Sequence, residues 1–150
     1  MPLTLVLPDT YGFVLAAATS TFFANFLHAQ RTAKLRHASK VAYPNAYASH
    51  EQAEKDPAAY KFNCAQRAHA NFVENQPSAV GALLIAGLNF PLASAILGAA
   101  WTFGRVLYLY GYTSSAGPKG RSSGAAVAGL ADVALKFMAA YTSYVIAMGK

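Results

Sequence analysis

NQPSAVGALLIAGLNFPLASAILGAAWTFG, from Asn75 to Gly104, runs for 30 residues without one Asp, Glu, Lys or Arg. A helix needs roughly 20 mostly apolar residues to cross the hydrocarbon layer. Pro91 falls inside this stretch, directly after Asn89 and Phe90. It breaks the run into two helical segments joined by a very tight turn. Upstream, Tyr11 to Leu27 is a second uncharged stretch of 17 residues. The charges crowd between them: 11 of the 18 Asp, Glu, Lys and Arg residues lie between His28 and Glu74.

The composition agrees with that segregation. Only 12% of the 150 residues are charged and 55% are hydrophobic, about half the charge of an ordinary soluble domain. Disorder, collagen-like repeats and coiled coil fit poorly. A soluble bundle with a very apolar core is the competing reading, and the run lengths argue against it. A single cysteine, Cys64, rules out an internal disulfide framework and any multi-cysteine metal site. The net charge of +6 would ordinarily suggest nucleic acid. The basic residues are not spread over a soluble face, so no nucleic-acid partner is expected.

Four helices are expected to cross or nearly cross a bilayer, within one all-α domain covering residues 1–150: Tyr11 to His28, Phe62 to Leu88, Leu92 to Tyr112, and Gly124 to Met148. Between the first two lies a long polar loop ending at Pro57, and between the last two the Gly/Ser/Pro loop Thr113 to Gly124. The segments Arg31 to Lys61 and Thr113 to Ser123 hold eight of the 12 Lys and Arg residues. By the positive-inside tendency both polar loops face the cytoplasm and both termini face the other way. Residues 1–10 lack a basic n-region, which argues against a cleavable signal peptide.

Ionisable groups inside such spans are expensive, so the few present carry most of the information. They are Arg67, Glu74, Arg105, Asp132 and Lys136. Asp132 and Lys136 stand four apart and read as a self-neutralising pair, with no site assigned. Arg67, Asn71 and Glu74 share an arc of roughly 60° on the second helix. Trp101, Arg105, Tyr108 and Tyr112 share a similar arc of roughly 60° on the third. Such a set can hold a small anionic ligand. An interfacial aromatic belt with snorkelling arginines accounts for the spacing equally well. His28, His37, His50 and His69 lack metal-ligand spacing, so no metal is expected. No phosphate loop, nucleophile elbow or dinucleotide fingerprint is present.

FNCAQRAHANFVE, Phe62 to Glu74, resembles the FNC-x-QR-x-H-x-N-x-x-E signature of the MAPEG superfamily, the membrane-associated proteins in eicosanoid and glutathione metabolism. KVAYPNAY (Lys40 to Tyr47), GRVLYLYGY (Gly104 to Tyr112) and the Gly/Pro/basic loop as far as Arg121 are similar to its type-three microsomal glutathione S-transferase branch. The resemblance implies a homotrimer of four-helix protomers in the endoplasmic reticulum membrane, with glutathione as co-substrate between neighbouring protomers near the cytosolic face. No retrieval signal is seen in Met148, Gly149 and Lys150, so the mitochondrial outer membrane stays open.

By the same resemblance Arg67, Asn71 and Glu74 match the second-helix glutathione contacts, and His69 stands where a relative has Gln. Arg36 matches the first helix's glutathione-contacting arginine, and Tyr108 and Tyr112 the third-helix tyrosines. A thiolate-activating arginine is expected a few residues past the second tyrosine. Counting lands on Lys119 and loop alignment on Arg121; Arg121 is preferred because a guanidinium stays charged and forks to two groups, and Arg105 is the third candidate. Ala70 and Asn75 depart from the family pattern. The implied activity is a glutathione transferase or peroxidase acting on a lipophilic electrophile or lipid hydroperoxide delivered through membrane lipid. The rival is a non-enzymatic lipid-binding scaffold, like the family's lipoxygenase-activating member. In a third reading the polar arcs serve only trimer packing.

Overall fold

A computed structural model describes residues 6–149, and every regular element among them is helical. Four long helices carry the chain: α1 (Tyr11–Ser39), α3 (Pro57–Gly87), α4 (Pro91–Tyr112) and α5 (Ser122–Ala147). A short α2 (His50–Lys55) precedes α3, and a 3-10 turn (Gly117–Arg121) precedes α5. The long helices run up and down and pack along their lengths, α1 on α3 and α4, and α5 on α3 and α4. Three segments among the described residues are long and apolar enough to cross a membrane: Tyr11–Ser39, Pro91–Tyr112 and Gly117–Ala147.

The first helix is longer than its apolar run. It was expected to end at His28 but continues to Ser39, about 44 Å of helix at 1.5 Å per residue. The charges from Arg31 onward mark where the surroundings become polar, not where the backbone stops, since AQRTAKLRHA contains good helix formers and no Gly or Pro. It stops at Lys40, whose φ of 54° is left-handed and whose N–H returns to the His37 carbonyl. Much of the expected polar loop is thus the end of α1 and the whole of α2. α3 was expected from Phe62 but starts at Pro57, where the polar loop ends: the Asp56 side chain accepts from the Ala58 N–H at 2.8 Å, with Pro57 in the first turn. Pro77 lies inside α3 without ending it.

Small residues set the spacing in the interior. Val14, Ala17 and Ala18 of α1, Ala82, Leu83 and Ala86 of α3, and Leu135 and Ala139 of α5 belong to one buried apolar cluster. Phe13, Phe22, Phe23, Phe26, Leu130 and Phe137 point outward, an apolar exterior suited to lipid or a partner surface. α4 and α5 approach to backbone contact. A Cβ on Gly104 would stand 2.6 Å from the Ala128 backbone nitrogen and 3.0 Å from the Gly124 carbonyl oxygen. Only glycine lets these backbones touch, and the contact brings the polar arc of α4 against the start of α5. Both polar segments lie at that end, where the Arg31 guanidinium donates to Thr113 Oγ1 at 3.2 Å. At the far end the Tyr11 hydroxyl donates to the Leu84 carbonyl at 2.9 Å.

Candidate functional site

Between α3, α4 and α5 lies an open cleft of about 340 Å³. α3 supplies Arg67, Asn71 and Asn75, α4 supplies Trp101, Arg105 and Tyr108, and the α5 wall runs from Arg121 through Ala125, Ala128 and Gly129 to Asp132. The two polar arcs expected from helix periodicity therefore face each other across one space. Residues on the same arc need not have met those on the other; the helix packing decides that they do.

Arg105 is the centre of the arrangement. It is 5% exposed, and its Nη2 donates to Asn71 Oδ1 at 2.8 Å. Three rings surround the guanidinium, Tyr108 at 4.7 Å and Phe72 and Trp101 at 5.7 Å each. Its Nε is buried with no partner among the described residues. Behind it, His28 Nε2 lies 3.2 Å from the Arg105 carbonyl oxygen. A cation so placed is held by aromatic faces and one amide oxygen, and retains donor capacity toward the cleft.

The other two guanidiniums stand nearer the polar end. Arg67 Nη1 pairs with Glu74 Oε1 at 2.8 Å, both side chains about half exposed at 47% and 55%. Arg121 Nη1 donates to the Tyr112 hydroxyl at 3.1 Å, its Cζ 5.1 Å from that ring's centre. Tyr112 in turn packs edge-on against Tyr108, with ring centres 5.6 Å apart. The cleft wall thus offers three guanidiniums against one carboxylate, Asp132, itself bonded to Lys136. That balance suits an anionic ligand gripped by charge-assisted hydrogen bonds.

Of the remaining expected residues, Glu74 reaches the rim through Arg67, and Tyr112 stands behind Arg121. Lys119 is exposed on the 3-10 turn and takes no part in the lining. His69 turns inward, its ring centre 6.0 Å from that of buried His28, and is not part of the cleft wall. Arg36 lies outside the cleft of its own chain. Its Nη1 donates to the Asn45 carbonyl at 2.8 Å, and its guanidinium is flanked by Tyr43 at 4.4 Å and Phe62 at 4.6 Å. Cys64 is buried in a cluster with Ala68, Tyr108, Leu109 and Tyr112. Among the described residues no three His, Cys, Asp or Glu side chains come together to hold a metal.

Sequence reasoning missed the inner end of the cleft. Asp132 was read only as a partner for Lys136, and Asn75 only as a departure from a pattern. A signal was there: Arg121, Ala125, Ala128 and Asp132 recur at intervals of four, three and four, one stripe of a helix with small residues between two charges. The family model described as the MAPEG family matches residues 14–141 of the chain.

Proposed function

The chain belongs to the MAPEG family, multi-pass membrane proteins that include glutathione transferases and non-enzymatic relatives, and from that premise we propose that it is a membrane-bound glutathione transferase with peroxidase capacity. The observation that carries the reading is the cleft. Arg67, Arg105 and Arg121 line it together with Asn71 and Tyr108, a donor set suited to a tripeptide with two carboxylates and a thiol. Arg67 takes a carboxylate, and Glu74, released from Arg67, takes the free amine.

Activation is the remaining requirement. A free thiol with a pKa near 8.5 is only a few per cent ionised at neutral pH. A guanidinium beside the sulfur favours the thiolate, each unit of lowering corresponding to about 1.4 kcal/mol. Arg121 is assigned this task in preference to Lys119, since Arg121 lines the cleft and Lys119 is exposed away from it; Arg105 is the second candidate. The thiolate adds to a lipophilic electrophile, forming a carbon–sulfur bond as a leaving group departs or a proton is taken up. With a lipid hydroperoxide it attacks the terminal oxygen, the O–O bond breaks, and the lipid alcohol leaves. A second glutathione then displaces water from the resulting sulfenic acid to give the disulfide.

The assembly completes the site in this reading. Three protomers form the homotrimer, α3 is the fourth crossing helix, and Arg36 reaches the neighbouring protomer's cleft, consistent with its position outside its own. The polar end faces the cytoplasm from the endoplasmic reticulum membrane, the mitochondrial outer membrane being the alternative.

The test is turnover of purified protein with glutathione and a panel of electrophiles and a lipid hydroperoxide, with Arg121→Ala and Lys119→Ala compared. Arg121→Ala is expected to lower the conjugation rate and the thiolate absorbance at least about tenfold, in the range of a lost electrostatic stabiliser. If neither change does so, the catalytic assignment is wrong. Absence of glutathione binding by calorimetry moves the protein to the lipid-binding scaffold.

A further inference from the structure

The inner end of the cleft has chemistry of its own. Asp132 lies 11 positions beyond Arg121, about 16 Å further along α5 at 1.5 Å per residue. It stands in a segment apolar enough to span a membrane, where an ionised side chain is expensive and marks function by default. One carboxylate oxygen, Oδ2, accepts from Lys136 Nζ one turn on. The other, Oδ1, is buried with no donor among the described residues. A buried acceptor left unpaired costs free energy until a donor arrives. The terminal torsion of aspartate is broad and two-fold, so a small turn brings an oxygen toward the cleft while the other keeps Lys136.

The neighbours define what can bring that donor. Trp101 of α4 and Asn75 of α3 line the same cleft as Asp132. A Cβ added at Gly129 meets nothing within 4 Å, so there is open space for an alkyl chain beside the carboxylate. Lys136 already supplies one ammonium, so the free valence suits a neutral O–H more than a second cation.

Resting on the reading of the cleft as a site for glutathione and a lipophilic second substrate, we infer that Asp132 determines specificity at its inner end. Its carboxylate accepts a hydrogen bond from a hydroxyl or hydroperoxyl group carried by that second substrate. Lipophilic compounds bearing such a donor are selected over equally greasy ones without it.

Trp101 is the only tryptophan in the chain and lines the same cleft, so its fluorescence reports occupancy without turnover. Dodecanol and dodecyl methyl ether, which differ in the donor, are titrated into the trimer in nanodiscs. The wild type is expected to bind the alcohol at least about tenfold more tightly, the lower end for a hydrogen bond to a charged acceptor. Asp132→Leu is expected to bring the ratio to within about twofold of unity. Because that change strands Lys136, the paired replacement Asp132→Leu with Lys136→Leu removes both charges and keeps the test valid if the single variant fails to fold. Equal affinities in the wild type, or a preference surviving in the paired variant, overturns the inference. Glutathione affinity by calorimetry is measured on the same samples. Its absence sinks the transferase reading, and a persisting alcohol preference would still support Asp132 as a donor-selecting site.

Discussion

Gly124→Ala adds one methyl group where two helix backbones touch, and its effect can be worked from the contacts. A Cβ at this position stands 2.6 Å from the Gly104 carbonyl oxygen and 2.7 Å from the Tyr108 Cα, and presses on the Tyr108 backbone nitrogen as well. Ordinary contacts between such atoms are about 3.5–4.0 Å. Backbone cannot rotate away as a side chain does, so α4 and α5 must part by about 1 Å. Overpacking of this kind typically costs about 1–3 kcal/mol, which at about 2–4 °C per kcal/mol lowers the apparent Tm by about 2–12 °C. The functional effect is comparable in free energy to the stability effect, a hundredfold in rate corresponding to about 2.7 kcal/mol. Parting the helices moves Arg105 and Tyr108 on one side from Arg121 on the other, and a 1 Å misplacement can lower a rate about a hundredfold. The assay pairs thermal unfolding in detergent, followed by circular dichroism, with the glutathione conjugation rate. Gly12→Ala is the control, since nothing lies within 4 Å of its added Cβ, and it should leave both readings close to wild type. A Gly124→Ala protein with unchanged Tm and a rate within twofold of wild type would refute the claim that this contact shapes the cleft.

Two further outcomes follow from particular contacts. Glu74→Gln breaks an ion pair whose members are about half exposed, so its stability should change by less than about 1 kcal/mol, while calorimetry should show glutathione affinity falling at least about tenfold if Glu74 holds the ligand's amine. Equal losses in stability and affinity would instead mark the pair as structural. Asp56→Ala removes the side chain that accepts from the Ala58 N–H at 2.8 Å, and should cost about 1 kcal/mol by denaturant unfolding without changing glutathione affinity.

How far each feature was legible depends on the range over which it is determined. The arcs Arg67–Asn71–Glu74 and Trp101–Arg105–Tyr108–Tyr112 follow from helical period, because residues three and four apart share a face whatever the helix packs against. The start of α3 was legible only in part: Pro57 marks the end of the polar loop, but the Asp56 cap that opens the helix there, ahead of the expected Phe62, was not read. The end of α1 was misread, since hydropathy reports the medium around a helix and the backbone hydrogen bonds continue past it to Ser39.

The sequence by itself determined an all-helical chain with long uncharged runs, the split of its charges between loops and helices, and which side chains share a face. Those properties depend on local spacing and on transfer from water to an apolar medium, both additive along the chain. Only the tertiary structure decided that Arg105 of α4 bonds Asn71 of α3, 34 positions away, that Arg121 and not Lys119 lines the cleft, that His69 turns toward His28, and that Asp132 closes the inner end. These depend on which ridges meet which grooves and on two glycines, Gly104 and Gly124, that let α4 and α5 touch. Period and hydropathy orient a face, but close packing between distant segments chooses what it meets.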